Sequence, residues 1–124
     1  MAQGQKVASV RRGEIYLASF DPTVGREINK TRPALVIQNN FGNRYGDLTI
    51  IAAITSKISP VPYPVEVIVR PSRTNGLHLL SAILLDQVRT VDKQRLTKRL
   101  GVLDAATMQR VDDAIQISLG LLEI

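Results

Sequence analysis

Three cations, Arg26, Lys30 and Arg32, crowd the segment from Gly25 to Gln38, and the last stands directly before Pro33. Proline forces the preceding residue into extended geometry, so the Arg32 backbone is stiffer than its neighbours. A guanidinium held at the mouth of a strand offers a rigid fork of donors that matches a phosphate. Thr55 closes a second apolar run and is followed by Ser56 and Lys57, again placing hydroxyls and a cation where a buried element surfaces. Singly these are ordinary features: a solvated loop, and a strand-end hydroxyl that serves the backbone. Together they would make a site for a phosphodiester, if the fold brings them close.

Other chemistries are poorly supplied. The chain has no cysteine, so it holds neither a disulfide nor a thiolate metal site. Its one histidine, His78, lies in a turn-rich stretch and reads as a surface or edge residue. With that ligand set no catalytic zinc is expected, and any activity should run without metal or cofactor. There is no glycine-rich phosphate loop, no His-Glu-x-x-His and no Gly-x-Ser-x-Gly. Asn29-Lys30-Thr31 matches a glycosylation acceptor but is discounted without a secretion signal.

The elements that must position these residues follow from patterning. The 124 residues, 44% apolar and 22% charged, suit one globular domain, 1–124, with a loose segment over 1–12. "EIYLASF" alternates from Glu14 and reads as a strand. "PALVIQ" is a second strand with Pro33 at its first position, and "NNFGNRYGD" reads as a turn. "LTIIAAIT" is apolar almost throughout, as for a strand covered on both faces. "VEVIVR" and "AILLDQVRTV" are a fourth and a fifth, and "KRLGVL" is a short sixth or an extended link. From the N-cap candidate Asp104, the stripe Met108, Val111, Ile115, Leu119 and Leu122 predicts a helix over 104–122. The fold class is therefore mostly β with a C-terminal helix, a small antiparallel barrel.

Charge is distributed unevenly. Residues 1–100 hold 15 Lys/Arg against 7 Asp/Glu, and residues 101–124 hold 1 against 4. A basic body with an acidic end points to a polyanion or an acidic peptide as partner. The opening "MAQGQKVASVRRGEIY" lacks the apolar core of a secretion signal, and no run approaches a membrane span. Cytoplasmic residence without membrane association is expected.

Four segments, "RRGEIYLASFDPTVGREINKTRPALVIQNN", "IAAITSKI", "ILLDQVRTVDKQRLTKRLGVL" and "VDDAIQISLGLLEI", follow one another across residues 11–124. In this order they resemble the MazF/PemK-type toxins, the mRNA interferase partners of bacterial toxin–antitoxin pairs. The resemblance implies an SH3-like or CcdB-like β-barrel that forms a symmetric homodimer. It implies a metal-independent, cofactor-free endoribonuclease that cuts single-stranded RNA at short sequences, leaving a 2′,3′-cyclic phosphate and a 5′-hydroxyl. The family's catalytic arginine falls on Arg32 and its catalytic threonine on Thr55, with no histidine requirement. RNA contact then falls to Arg26, Glu27 and Lys30 of the 21–32 loop, to Ser56 and Lys57, and to Gln87 and Arg89 of "DQVRTV". A cognate antitoxin with an acidic flexible tail is the implied protein partner, and DNA is reached only indirectly, through the antitoxin complex. Two alternatives use the same barrel. A CcdB-type gyrase poison acts through a tryptophan-containing tail, but this chain has no tryptophan and ends Leu121-Leu122-Glu123-Ile124. A catalytically silent RNA-binding module would keep the basic surface and cut nothing.

Overall fold

In the computed structural model, which describes residues 9–21, 25–26, 30–61 and 63–124, the alternating EIYLAS forms strand β1 (Glu14–Ser19). There follow β2 (Thr31–Val36), a short helix α1 (Asn40–Tyr45), β3 (Leu48–Thr55), β4 (Glu66–Val69) and β5 (Ser81–Asp92). A 3₁₀ turn at Lys93–Arg95 leads into β6 (Leu96–Val102), and α2 (Ala105–Ser118) closes the chain. The stretch that could have been a link is thus a full strand. All pairings are antiparallel, in the order β4-β5-β3-β2-β1-β6.

Alternate residues of the same strands feed two cores. Ile15, Leu35, Ala52, Ile54 and Ile83 pack on one face, under Val111 and Ala114 of α2. Tyr16, Ala18, Ala34, Val36, Ile51 and Ala53 pack on the other, with Val91 and Leu96. β3 is therefore covered on both sides, as its unbroken apolar run predicts. In a flat sheet β5 and β6, four positions apart, would lie about 19 Å from each other. Val91 and Leu96 nevertheless share one cluster, so the sheet curls like a barrel around the second core. Hydrogen-bonded closure is incomplete, because β4 and β6 remain edges among the described residues.

Beside that core the Tyr16 hydroxyl donates to Glu14 Oε1 at 3.0 Å, and Arg99 Nε donates to Glu14 Oε2 at 2.9 Å. Burial, reinforced by the hydrogen bond and charge of Glu14, pushes the Tyr16 phenol up to about 12.

The expected turn at "NNFGNRYGD" contains α1 instead. Asn39 caps it by accepting from Gly42 N at 2.8 Å, and the Asn43 amide donates to Gln38 O at 2.9 Å. At its other end the buried Lys93 ammonium donates to the carbonyls of Asn43 and Gly46. The Asn/Gly composition reads as a turn because these residues act locally as caps, and the lysine that completes the helix comes from 50 residues away.

α2 begins as expected: Asp104 accepts from Thr107 N at 3.1 Å and from the Thr107 hydroxyl at 2.6 Å. Those hydrogen bonds, the hydroxyl's first, hold the Asp104 carboxyl below its ordinary value. The helix stops at Ser118, short of the apolar stripe, where Gly120 takes φ +76° and Leu121 N turns back to Gln116 O. Among the described residues no helix is long and apolar enough to cross a membrane.

Candidate active site

β2 and β3 pair at Ala34↔Ala53, Leu35↔Ala52 and Val36↔Ile51, and there the ladder ends. Arg32 and Thr55 lie two residues beyond the last pair, Ala34↔Ala53, at the parting ends of β2 and β3. Pro33 intervenes with no N–H to give, so the strands part where a ladder bond would otherwise continue. Arg32 itself stays fixed from the other side, paired with Ala18 of β1, while Thr55 pairs with Ala82 of β5. β2 starts at Thr31, two residues before the expected first position at Pro33, because β1 pairs back through Ser19↔Thr31.

The parted strands border a cleft of about 340 Å³. Its apolar lining includes Leu17, Pro33, Ile54, Leu77 and Leu100; its polar lining includes Arg32, Thr55, Ser56, His78 and Lys98. Arg32, Ser56, His78 and Lys98 are exposed, and Thr55 is half-buried with its Oγ1 accepting from Lys57 N at 3.0 Å. No carboxylate lines the cleft among the described residues, so its fixed charge is cationic, from Arg32 and Lys98. A cationic fork, a second cation and hydroxyls beside an apolar floor suit a phosphodiester carrying a base.

The other expected site residues that the structure describes lie outside this wall. Arg26 and Lys30 are exposed on the preceding loop, where Lys30 adopts φ +65° and its N–H donates to Asp21 Oδ1 at 2.9 Å. Glu27 is outside the described residues. Gln87 lies in the β5 bulge between the paired Leu84 and Val88. Arg89 Nη1 donates to Phe20 O at 3.0 Å with its guanidinium 6.0 Å from the Phe20 ring centroid. Arg95 Nη1 donates to Ser19 O at 3.2 Å and also to Asp21 O, so two arginines brace the start of the cationic loop.

Two residues of the wall were not offered as site residues from sequence, His78 having been read as a surface or edge residue. Lys98 reaches the cleft because β6 pairs with β1 at Leu17↔Lys98. His78 reaches it from the turn-rich stretch before β5. The only local hint was Gly76 just upstream, a residue whose φ of +72° marks a tightly held loop.

Residues 11–119 match the sequence profile of the PemK-like, MazF-like toxin of type II toxin–antitoxin system. The chain belongs to that family. Endoribonuclease EndoA of Bacillus subtilis (strain 168) is 46% identical over 114 residues, covering 92% of this chain and 97% of that protein. The crystal structure of MazF from Deinococcus radiodurans superposes with a TM-score of 0.76 at 26% identity, covering 90% of this chain and 97% of that one. A mycobacterial endoribonuclease in complex with its cognate antitoxin has the same fold, at TM-score 0.75 and 24% identity, covering 93% and 99%. The curled sheet and closing helix are thus the architecture of the MazF-like toxins.

Proposed function

We propose that this chain is a toxin of a toxin–antitoxin pair that cleaves single-stranded RNA at short sequences, with Arg32 and Thr55 acting on the scissile phosphate. One observation carries the reading: Arg32 and Thr55, each just beyond the end of the β2–β3 ladder, line one cleft with cationic fixed charge. Attack of a ribose 2′-oxygen on the adjacent phosphorus builds negative charge on the non-bridging oxygens. Arg32 supplies the fixed cationic fork that stabilises it, and the Thr55 hydroxyl adds one hydrogen bond. A guanidinium that stays charged at every working pH is an electrostatic stabiliser and a poor base. The products are a 2′,3′-cyclic phosphate and a 5′-hydroxyl.

RNA extends beyond the cleft in this reading. Lys98, Ser56 and Lys57 take phosphates near the cut, and Arg26, Glu27 and Lys30 flank them on the loop that Arg89 and Arg95 brace. Gln87 and Arg89 contact nucleotides further along. A homodimer is supported by the exposed apolar side chains Leu119, Leu121, Leu122 and Ile124 after α2, together with Val88 of β5. The inhibitor is a cognate antitoxin whose acidic segment competes for the cationic surface, and the setting is the cytoplasm.

The test is sequencing of the 5′ ends released from RNA by the purified protein in excess chelator. Defined internal cuts are expected from the wild type, and none from a folded Arg32→Ala protein. Uncut RNA would leave only a silent binding module or a poison of another target.

A further inference from the structure

Helix α1 carries a surface that the chemistry of the cleft does not use. Phe41 and Tyr45, one turn apart, hold their ring centroids at 5.0 Å with 54° between the planes. The Arg44 guanidinium lies 5.3 Å from the Tyr45 ring centroid. Phe41 is 76% and Tyr45 68% exposed, whereas Tyr16 and Phe20 are buried. A pair at this spacing steadies a helix only slightly, which does not explain two large rings left in water. The same side chains wall a groove of about 530 Å³ together with Arg11. No carboxylate lines it among the described residues, so its fixed charge is cationic. We propose that this face binds single-stranded RNA outside the cleft, a base stacking on the aromatic pair while Arg11 and Arg44 take the flanking phosphates. The assignment rests on the ribonuclease reading.

The element that presents the rings is braced from within. Val10 is buried in the second core, and Arg12 N donates to Asn40 Oδ1 at 2.7 Å, tying the segment before β1 to the helix. The buried Asn43 Oδ1 accepts from the Thr49 hydroxyl at 2.6 Å and from Gln38 Nε2 at 3.0 Å. The Lys93 ammonium fastens the last turn through the Asn43 and Gly46 carbonyls. Rings carried on such a support lose little freedom when a base lands on them. Every base has a face to offer, so the contact adds affinity without reading sequence.

Placement in the fold makes the contact depend on RNA length. Leu48, just after α1, and Thr55, on the cleft, are the two ends of β3, about 23 Å apart along the strand. A short RNA that fills only the cleft ends before α1. A longer one, within the roughly 4–16 nucleotides that small single-strand-binding barrels cover, reaches it.

The experiment measures affinity and single-turnover cleavage for RNAs of about 5 and about 16 nucleotides that share one cut site. Affinity is read on versions carrying a 2′-deoxy residue at the cut. The proteins are the full-length wild type, the double variant Phe41→Ala with Tyr45→Ala, Tyr45→Phe, and Arg44→Gln. The double variant should bind the longer RNA about 5–150-fold more weakly, with binding and cutting of the shorter one within about twofold of wild type. Tyr45→Phe keeps the ring and should bind both as the wild type does. Arg44→Gln should lower the slope of log affinity against log salt by about 0.7, on the longer RNA alone. A 5-bromouridine placed in the longer RNA away from the cut should photocross-link to α1. Unchanged affinity of the double variant for the longer RNA overturns the assignment, and so does an equal loss on both RNAs. A double variant that keeps its RNA affinity but no longer binds polyglutamate, or sediments at a different mass, overturns it in favour of an acidic peptide or a second copy. A wild type that neither binds nor cuts RNA overturns the ribonuclease reading and this one with it, whereas cutting with longer-RNA affinity indifferent to Phe41 and Tyr45 overturns this one alone.

Discussion

Arg32 was legible because a local rule marks it: the proline that follows restricts its backbone, and the cation type selects the ligand class. Thr55 was legible as the last residue of an apolar run. His78 was not, since its place on the same cleft wall as Arg32 depends on the β2–β3 and β3–β5 pairings and not on neighbours in sequence. Lys98 was hidden for the same reason. Thr55→Val should cut RNA about 10²–10³-fold more slowly with an unshifted melting temperature, since the side chain is half-buried and its one backbone partner is exposed. Lys98→Ala should weaken RNA binding and lower the slope of log affinity against log salt by about 0.7, the share of one phosphate contact on a single strand. Binding titrations at several salt concentrations check it. Tyr16 gives a different readout. Its phenol holds its proton up to about 12 in the fold against about 10 when unfolded, so its contribution is complete below 10 and is lost as pH rises through 12. Denaturant midpoints should fall over that window in the wild type and fall less in Tyr16→Phe.

At the scale of elements, alternation and prolines disclosed the strands, since period-two burial is a local consequence of pleating. The helix α1 stayed concealed because its stability is borrowed from β5 and the 3₁₀ turn through Lys93. That ammonium is buried and satisfies two carbonyls of the α1 end. Lys93→Met keeps the apolar stem and leaves those carbonyls unpaired, so it should cost about 1–3 kcal/mol, read as a lowered denaturant midpoint. The overlong reading of α2 has a plain origin. Leu119 and Leu122 continue the helical spacing, but Gly120 ends the helix and leaves both exposed.

For the whole molecule, the exposed leucines after α2 and Val88 of β5 are the side chains that the proposed homodimer would cover. Leu119→Lys with Leu122→Lys should give a folded monomer at micromolar concentration in sedimentation experiments, against a wild-type dimer. The uneven charge distribution foresaw a polyanion partner, yet it could not tell RNA from an acidic peptide, because both present spaced negative charge to the same cations. The end of the β2–β3 ladder also bears on how the protein tolerates change. Arg32 and Thr55 lie two residues beyond the Ala34↔Ala53 pairing, and everything joining those strands, α1 included, lies at the opposite end of the hairpin. Residues gained or lost between Gly46 and Leu48 would leave the placement of Arg32 and Thr55 untouched. A single residue inserted between Arg32 and Ala34, by contrast, would turn the guanidinium to the opposite face of the sheet.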